Sequence, residues 1–417
     1  MPFDLVLDHA LVPELSDRPL SIAVENGLIA AIGADIGSGR VHEDAGGRLV
    51  LPGFVDSHIH LDKSCILDRC RAEGSLAEAI AEVGRLKADF DEADIHARAE
   101  ATLQKAILQG TTRMRTHAEI DTRIGLRGFH ALQRLKRDYA FAIDLEICVF
   151  PQEGLTNDPG AEDLLVKACM EGADLVGGCP YTDTDPDEQI ARIFAIARRF
   201  DLDVDFHLDF DLDPSWTHLD AVIAATEANG WQGRVAVGHV TKLSAMPRAR
   251  VADYAARLAR AGVAVTVLPA TDLFLMGRGR EGDAPRGVAP AHLLAGAGVT
   301  CSLATNNVMN PFTPFGDCSL NRMANLYANI AQLGRKAEMA LCLDMVTRQA
   351  ARLMRCEGYG IAIGNPADLV VIDAVSPAHA VAEIAPVVMG FKRGVKTFER
   401  PLARLIRPLA EAPSAVR

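Results

Sequence analysis

A strand-then-helix alternation runs through roughly 300 residues of this chain and limits its fold more than any other feature. Apolar, strand-like runs recur at Val50 to His60, Thr112 to His117, Asp144 to Pro151, Leu175 to Pro180, Val204 to Asp209, Val235 to Thr241, Val263 to Pro269 and Val299 to Asn306. Stretches rich in Ala, Leu, Arg and Glu lie between most of them, among them Leu76 to Gln109, Gly160 to Glu171, Pro186 to Phe200, Leu219 to Asn229, Pro247 to Ala261 and Pro290 to Ala297. Parallel strands need a long crossover, and a helix is the usual one. Eight such units predict an α/β fold, a (β/α)8 TIM-type barrel, with an open doubly wound sheet as the alternative. The barrel is preferred because polar, chemically competent side chains stand at the C-terminal ends of nearly all the predicted strands, where barrel active sites are assembled.

The two ends of the chain differ from this middle. Phe3 to Leu7, Leu20 to Val24 and Leu28 to Ile32 read as short strands, with Asn26-Gly27 as a hairpin turn. Asp368 to Ile372, Val387 to Met389 and Arg393 to Lys396 are similar material. Residues 1–50 and 365–417 are therefore expected to form one small β-sandwich domain, and 51–364 the barrel. The formal net charge of −12 argues against a nucleic-acid or anionic-membrane partner, because phosphate affinity rests on clustered Lys and Arg. No basic and apolar leader opens the chain, and its nine cysteines are scattered with no CxxC pair. A cytoplasmic location with reduced thiols is the expectation.

Chemistry concentrates first at Leu49 to Lys63, LVLPGFVDSHIHLDK. Alternation along a strand turns His58 and His60 to one face and Ile59 to the other, which is a metal-ligand arrangement. Further strand ends carry His117 and Glu119, Gln152 and Glu153, Cys179, His207 with Asp209 and Asp211, His239 and Lys242, Thr271 and Asp272, and Asn306 with Asn307. A lone strand-end histidine is more often a hydrogen-bonded core residue than a ligand. Four separate strands ending in histidine, among only 12 histidines, converge on one mouth if the barrel closes. Three imidazoles suit a borderline-soft divalent ion; Zn²⁺ is the first choice, with Fe²⁺ and Mn²⁺ as alternatives.

PGFVDSHIHLDK, the later histidines His207 and His239, and the GNPADLVVID return near residue 364 together resemble the amidohydrolase superfamily. Within it, RTHAEID (Arg115 to Asp121), VFPQEGL (Val149 to Leu155) and NPFTPFGD (Asn310 to Asp317) look like the cytosine deaminase and N-isopropylammelide amidohydrolase branch. The resemblance implies a metal site of His58, His60 and His207, with Asn306 at the eighth-strand ligand position. It implies His239 as the residue that handles protons or polarises substrate, and Gln152 as a reader of a cyclic amide edge. Lys63 matches a lysine that lies near substrate in the isopropylammelide enzyme; its other reading is a solvated loop lysine. Asn307 is a further substrate-binding candidate, and a homo-oligomer is implied.

Two positions depart from that pattern. Where cytosine deaminase has a proton-shuttling glutamate, this chain has Phe210, and where the superfamily has an aspartate, it has Asn306. A phenyl ring moves no protons, and an amide oxygen ligates a metal weakly but is no general base. Alternation is expected to turn Asp209 and Asp211 toward His207 and so return a carboxylate to the mouth, with Asp209, His239 and Lys63 carrying the proton traffic. The function expected is metal-dependent hydrolysis of a C–N bond in a small N-heterocycle. A non-hydrolytic paralogue that binds a heterocycle, and a metal-assisted lyase or isomerase, are the alternatives.

Overall fold

The computed structural model describes residues 2–71 and 74–406. Its centre is an eight-stranded parallel sheet of β6 (Phe54–Ile59), β7 (Thr111–Glu119), β8 (Asp144–Phe150), β9 (Leu175–Gly178), β10 (Asp203–Leu208), β11 (Val235–His239), β12 (Val263–Val267) and β13 (Cys301–Leu303), in sequence order. The last strand returns to the first: Ile59 bridges Asn306, with His60 N–H donating to Asn306 O at 2.9 Å and Asn306 N–H to His58 O at 2.8 Å. The expected (β/α)8 barrel is thus what forms. Its strands are covered on both faces, which is why they read as near-continuous apolar runs such as VAVGH and VAVTV, buried throughout.

Two four-stranded sheets stand beside the barrel. One has the order β3-β2-β1-β4, built from β1 (Phe3–Ala10), β2 (Leu20–Glu25), β3 (Leu28–Gly33) and β4 (Gly39–Asp44). The other has the order β16-β15-β14-β5, built from β5 (Leu49–Pro52), β14 (Leu369–Ile372), β15 (Val387–Lys392) and β16 (Val395–Glu399). They share a core in which Leu5, Leu7 and Ile22 meet Val50, Leu369, Val371 and Phe391. Asn26 and Gly27 both adopt positive φ, 52° and 78°, as the hairpin turn requires. We propose that these sheets make up the small unit expected of 1–50 and 365–417, beside the barrel of 51–364; residues 407–417 lie outside the described residues. Among the described residues no helix is long and apolar enough to cross a membrane.

Two expected elements divide. Val50 to His60 is not one strand: Leu49–Pro52 pairs antiparallel with Leu369–Ile372, and only Phe54–Ile59 enters the barrel. The break is Gly53, where a Cβ would stand 2.2 Å from the Thr112 side chain. Leu76 to Gln109 is likewise two helices, α1 (Leu76–Leu86) and α2 (Glu92–Leu108), separated by a 3-10 turn at Lys87–Asp89. Ser75 and Glu78 form a capping box at the start of α1, and Asp91 caps α2 by accepting from the Asp94 N–H, so each helix carries its own start signal.

The barrel interior has a polar floor. Buried Arg115 on β7 pairs with Asp205 on β10 at 3.0 Å and with Glu146 on β8 at 3.1 Å. The backbone of β9 passes close by at Gly177, where a Cβ would lie 2.1 Å from Asp205 O and 3.0 Å from Cys148 Sγ. Gly177→Ala is therefore expected to destabilise the protein by about 1–3 kcal/mol through overpacking. Urea unfolding checks this; an unchanged midpoint would show that the floor yields at no cost.

Candidate active site and metal centre

Five imidazoles from four strands meet at the C-terminal mouth: His58 and His60 at the end of β6, His117 on β7, His207 on β10 and His239 on β11. All five are at most 2% exposed. The ring centroid of His58 lies 5.3 Å from that of His60, 4.6 Å from His207 and 6.0 Å from His239. His117 stacks on His58 at 3.9 Å. Gly238 leaves room for this packing, since a Cβ there would stand 3.2 Å from His58 Cε1.

The hydrogen bonding of this cluster is incomplete in a way that points to an electrophile. Neither ring nitrogen of His58 or His117 has a hydrogen-bond partner, nor does Nδ1 of His60 or of His207. Nε2 of His60 and Nε2 of His207 face each other at 3.0 Å, and one nitrogen from each of His58, His117 and His207 lies within 4.8 Å of the others. Both polar atoms of the Asn306 amide are also buried without partners. Buried polar groups are nearly always satisfied, so this set of orphans fits a divalent cation held by imidazoles with an amide oxygen in reach. The sequence reading placed His117 at a strand end but gave it no role. Here its Nε2 stands 3.6 Å from Asp205 Oδ2, which Arg115 holds in turn.

Lys63 is no solvated loop lysine. It is 2% exposed, and its Nζ donates to Glu119 Oε1 at 2.7 Å and to Gln152 Oε1 at 3.2 Å. Phe312 lies 4.5 Å from that ammonium, measured to the ring centroid. Gln152 is fixed at its other end too, where Nε2 donates to Cys179 Sγ at 3.3 Å. Glu119 and Phe312 are therefore site residues whose roles the sequence did not disclose.

His239 adopts φ 71°, and its Nδ1 lies 2.7 Å from Asp272 Oδ1. Burial raises the Asp272 carboxyl against the pull of His239. Phe210 stacks on the His239 ring at 3.8 Å and 24°, while Phe150 stacks on His207 at 4.4 Å and 13°. The residue standing where a carboxylate was sought is thus an apolar wall.

The expected return of a carboxylate from the fifth strand fails. Alternation ends at Leu208, and Asp209 takes φ 51°, which swings its side chain out of the strand pattern. Its carboxylate accepts the His218 N–H at 3.0 Å and the Thr217 hydroxyl. Asp211 pairs with Lys242 at 3.1 Å. Asn307 Oδ1 accepts from Asn310 Nδ2 at 2.7 Å, and Asn307 lines a cavity of about 390 Å³ with Phe274, Thr305 and Phe315. A second acidic group, Glu119, Asp121 and Glu153, surrounds the Lys87 ammonium, and Lys63 pairs with Glu119 as a second cation.

Burial first, then the crowding of the neighbouring imidazoles, joined at His60 and His207 by Lys63, holds the imidazoles of His58, His60 and His207 well below the ordinary 6.5. The unfolded chain takes up these protons near 6.5 while the folded chain does not, so unfolding binds protons as pH falls. Metal-stripped protein should accordingly be most stable above that value and lose stability steadily from pH about 7 to about 5. Urea midpoints across this range test it, and a flat profile would mean the cluster protonates freely in the folded state.

A profile of the amidohydrolase family matches residues 42–134 and 99–397. N-isopropylammelide isopropyl amidohydrolase of Pseudomonas sp. (strain ADP) is 28% identical over 406 residues, covering 94% of this chain and 96% of that protein. Pterin deaminase of Rhizobium rhizogenes is 30% identical over 331 residues, 78% of this chain and 75% of that enzyme. The crystal structure of 5-methylcytosine deaminase from Klebsiella pneumoniae, liganded with 5-fluorocytosine, is similar with a TM-score of 0.92 at 27% identity, covering 97% of this chain and 99% of that one. On the extent of the profile match, the chain belongs to the amidohydrolase family.

Proposed function

We propose that this protein is a metal-dependent hydrolase that cleaves a C–N bond of a small N-heterocycle by deamination, dealkylamination or cyclic amide opening. The observation that carries the reading is the set of converging imidazoles with unpartnered nitrogens, directly beside an ordered lysine and glutamine. Relatives named for ammelide and pterin chemistry, and a structural neighbour holding a fluorocytosine, support the substrate class.

His58, His60 and His207 would hold the metal, with the Asn306 amide oxygen as a weak further ligand and His117 as an additional imidazole in reach. A divalent ion there, Zn²⁺ foremost and Fe²⁺ or Mn²⁺ also suited, would supply Lewis acidity and lower the pKa of water toward neutrality. Lys63 Nζ and Gln152 bind and orient the polar edge of the ring. Phe150, Phe210 and Phe312 exclude water and offer faces for an aromatic substrate. His239, oriented by Asp272 at 2.7 Å, is the group placed to deliver a proton to the departing nitrogen. Asp209, tied into its own loop, takes no part. The reading further includes a homo-oligomer in the cytoplasm, a setting that suits the nine free thiols.

A second reading has its own observation: the eighth-strand position is the amide of Asn306 and the shuttle position is Phe210, which leaves a heterocycle-binding paralogue with no hydrolysis. Turnover by metal-loaded protein of aminopyrimidines, aminotriazines, pterins and cyclic amides separates the two. Release of ammonia or an amine from at least one class is expected; binding without release selects the paralogue. An isomer or elimination product without solvent oxygen selects the lyase or isomerase.

Elemental analysis should find about one divalent ion per chain, as a three-imidazole site predicts, and His58→Ala and His207→Ala should each reduce that content and abolish turnover. Full metal in both variants would place the site elsewhere. Gln152→Ala should weaken substrate binding by about 1–3 kcal/mol, seen as a raised KM with kcat largely kept. An effect confined to kcat would contradict its role as an edge reader.

A further inference from the structure

Lys63 does not hold itself in place. One of its two acceptors is Glu119 Oε1, at 2.7 Å, and the other oxygen of that carboxylate accepts from Lys87 Nζ at 3.0 Å. Lys87 is 1% exposed and lies in the 3-10 turn between α1 and α2. Its ammonium is also held by Glu153, at 2.5 and 2.6 Å to the two oxygens, and by Asp121. Arg127 Nη2 donates to the Lys87 carbonyl at 3.3 Å and so fixes the turn itself.

Solvent reaches the two ends of this group unequally. A cavity of about 10 Å³ between Asp62, Lys63, Lys87 and Glu119 admits one water at most, so bulk solvent cannot replace Lys87 at Glu119, whereas Asp121 and Glu153 line a wider cleft of about 400 Å³. Burial works against the charge of Glu119, yet Lys63 and Lys87 together hold it below the ordinary carboxylate value. Burying such a network costs desolvation free energy that its Coulombic attraction barely offsets, so it is a poor source of stability. Its evident product is geometric: it fixes both oxygens of Glu119.

We infer that Lys87 is a positioning residue for the active site, orienting Glu119 so that Lys63 Nζ stays aimed at the substrate beside Gln152. The inference rests on the role given to Lys63 under the proposed function. It assigns work to the break between α1 and α2: the turn delivers a cation to the far side of Glu119. Lys87 itself touches neither substrate nor metal.

The test uses the full chain with Lys87→Met and Glu153→Gln together, which removes the Lys87 cation and one of the carboxyl groups it holds. A crystal structure should show Lys63 Nζ displaced from Glu119 and Gln152. Metal content should be unchanged, and kcat/KM on the substrate found above should fall roughly 10- to 100-fold, as misplacement of an orienting group predicts. Added to Lys63→Met, the pair should cause no further loss, because it acts through that lysine alone. Lys87→Arg, which keeps a cation against Glu119, should leave Lys63 in place and retain most of the rate. Lys63 undisturbed in the double variant, additive losses, or an arginine variant as impaired as the methionine one would each overturn the inference. Should the wild type turn over no heterocycle, the proposed function fails, while the position of Lys63 in the variant structure still decides the role of Lys87.

Discussion

Two backbone hydrogen bonds between the first and last strands decide whether this protein has a site at all. His58 O and His60 N are the groups that Asn306 engages, so the residues that close the ring are also those that carry the clustered imidazoles. Closure draws eight strand ends into one small mouth, and imidazoles from distant stretches of chain come within van der Waals reach. The positive φ of Asn306, 64°, is a conformation asparagine tolerates better than most residues, and it lets the backbone turn back onto β6 while the amide stays inside.

The mouth divides into two electrostatic halves. On one side stand neutral imidazoles, kept neutral by burial, and an amide in place of a carboxylate. On the other side runs an ionic chain of Lys63, Glu119, Lys87, Asp121 and Glu153, with Asp62 beside it. Burial, then the charge of Glu119, raises Asp62 to about 6. A cation held by the neutral half would keep its charge largely undiminished by its ligands. Phe150 and Phe210 cover the imidazoles of His207 and His239 on the neutral side.

The barrel was legible because strands buried on both faces write themselves as apolar runs, and the pair His58 and His60 because alternation fixes their common side. Other features obeyed rules that sequence periodicity does not record. Asp209 left the pattern through one left-handed residue, which turned an expected active-site carboxylate into the anchor of a loop. The chain crosses from a terminal sheet into the barrel at Gly53, and an apolar run on both sides hid the change of partner. Lys87 sat within an uninterrupted helical composition, so nothing marked the turn that makes it useful. His117 was visible as a strand-end residue, but only its stacking on His58 showed how close it stands to the ligands.

Ring closure also sets an order of events during synthesis. Thr305 N–H bonds Asp56 across 249 residues, and Arg48 reaches Asp373 across 325. Strand β6 therefore emerges from the ribosome early and waits, its two histidines without their partners, until the eighth strand follows. Contacts of such long range form slowly, because loop-closure entropy must be overcome before they yield any stabilisation. The nascent chain accordingly carries its His-Ile-His segment unpartnered for most of its synthesis, and the histidine cluster exists only after the barrel has shut. Any ion that this cluster binds would be captured by the finished chain.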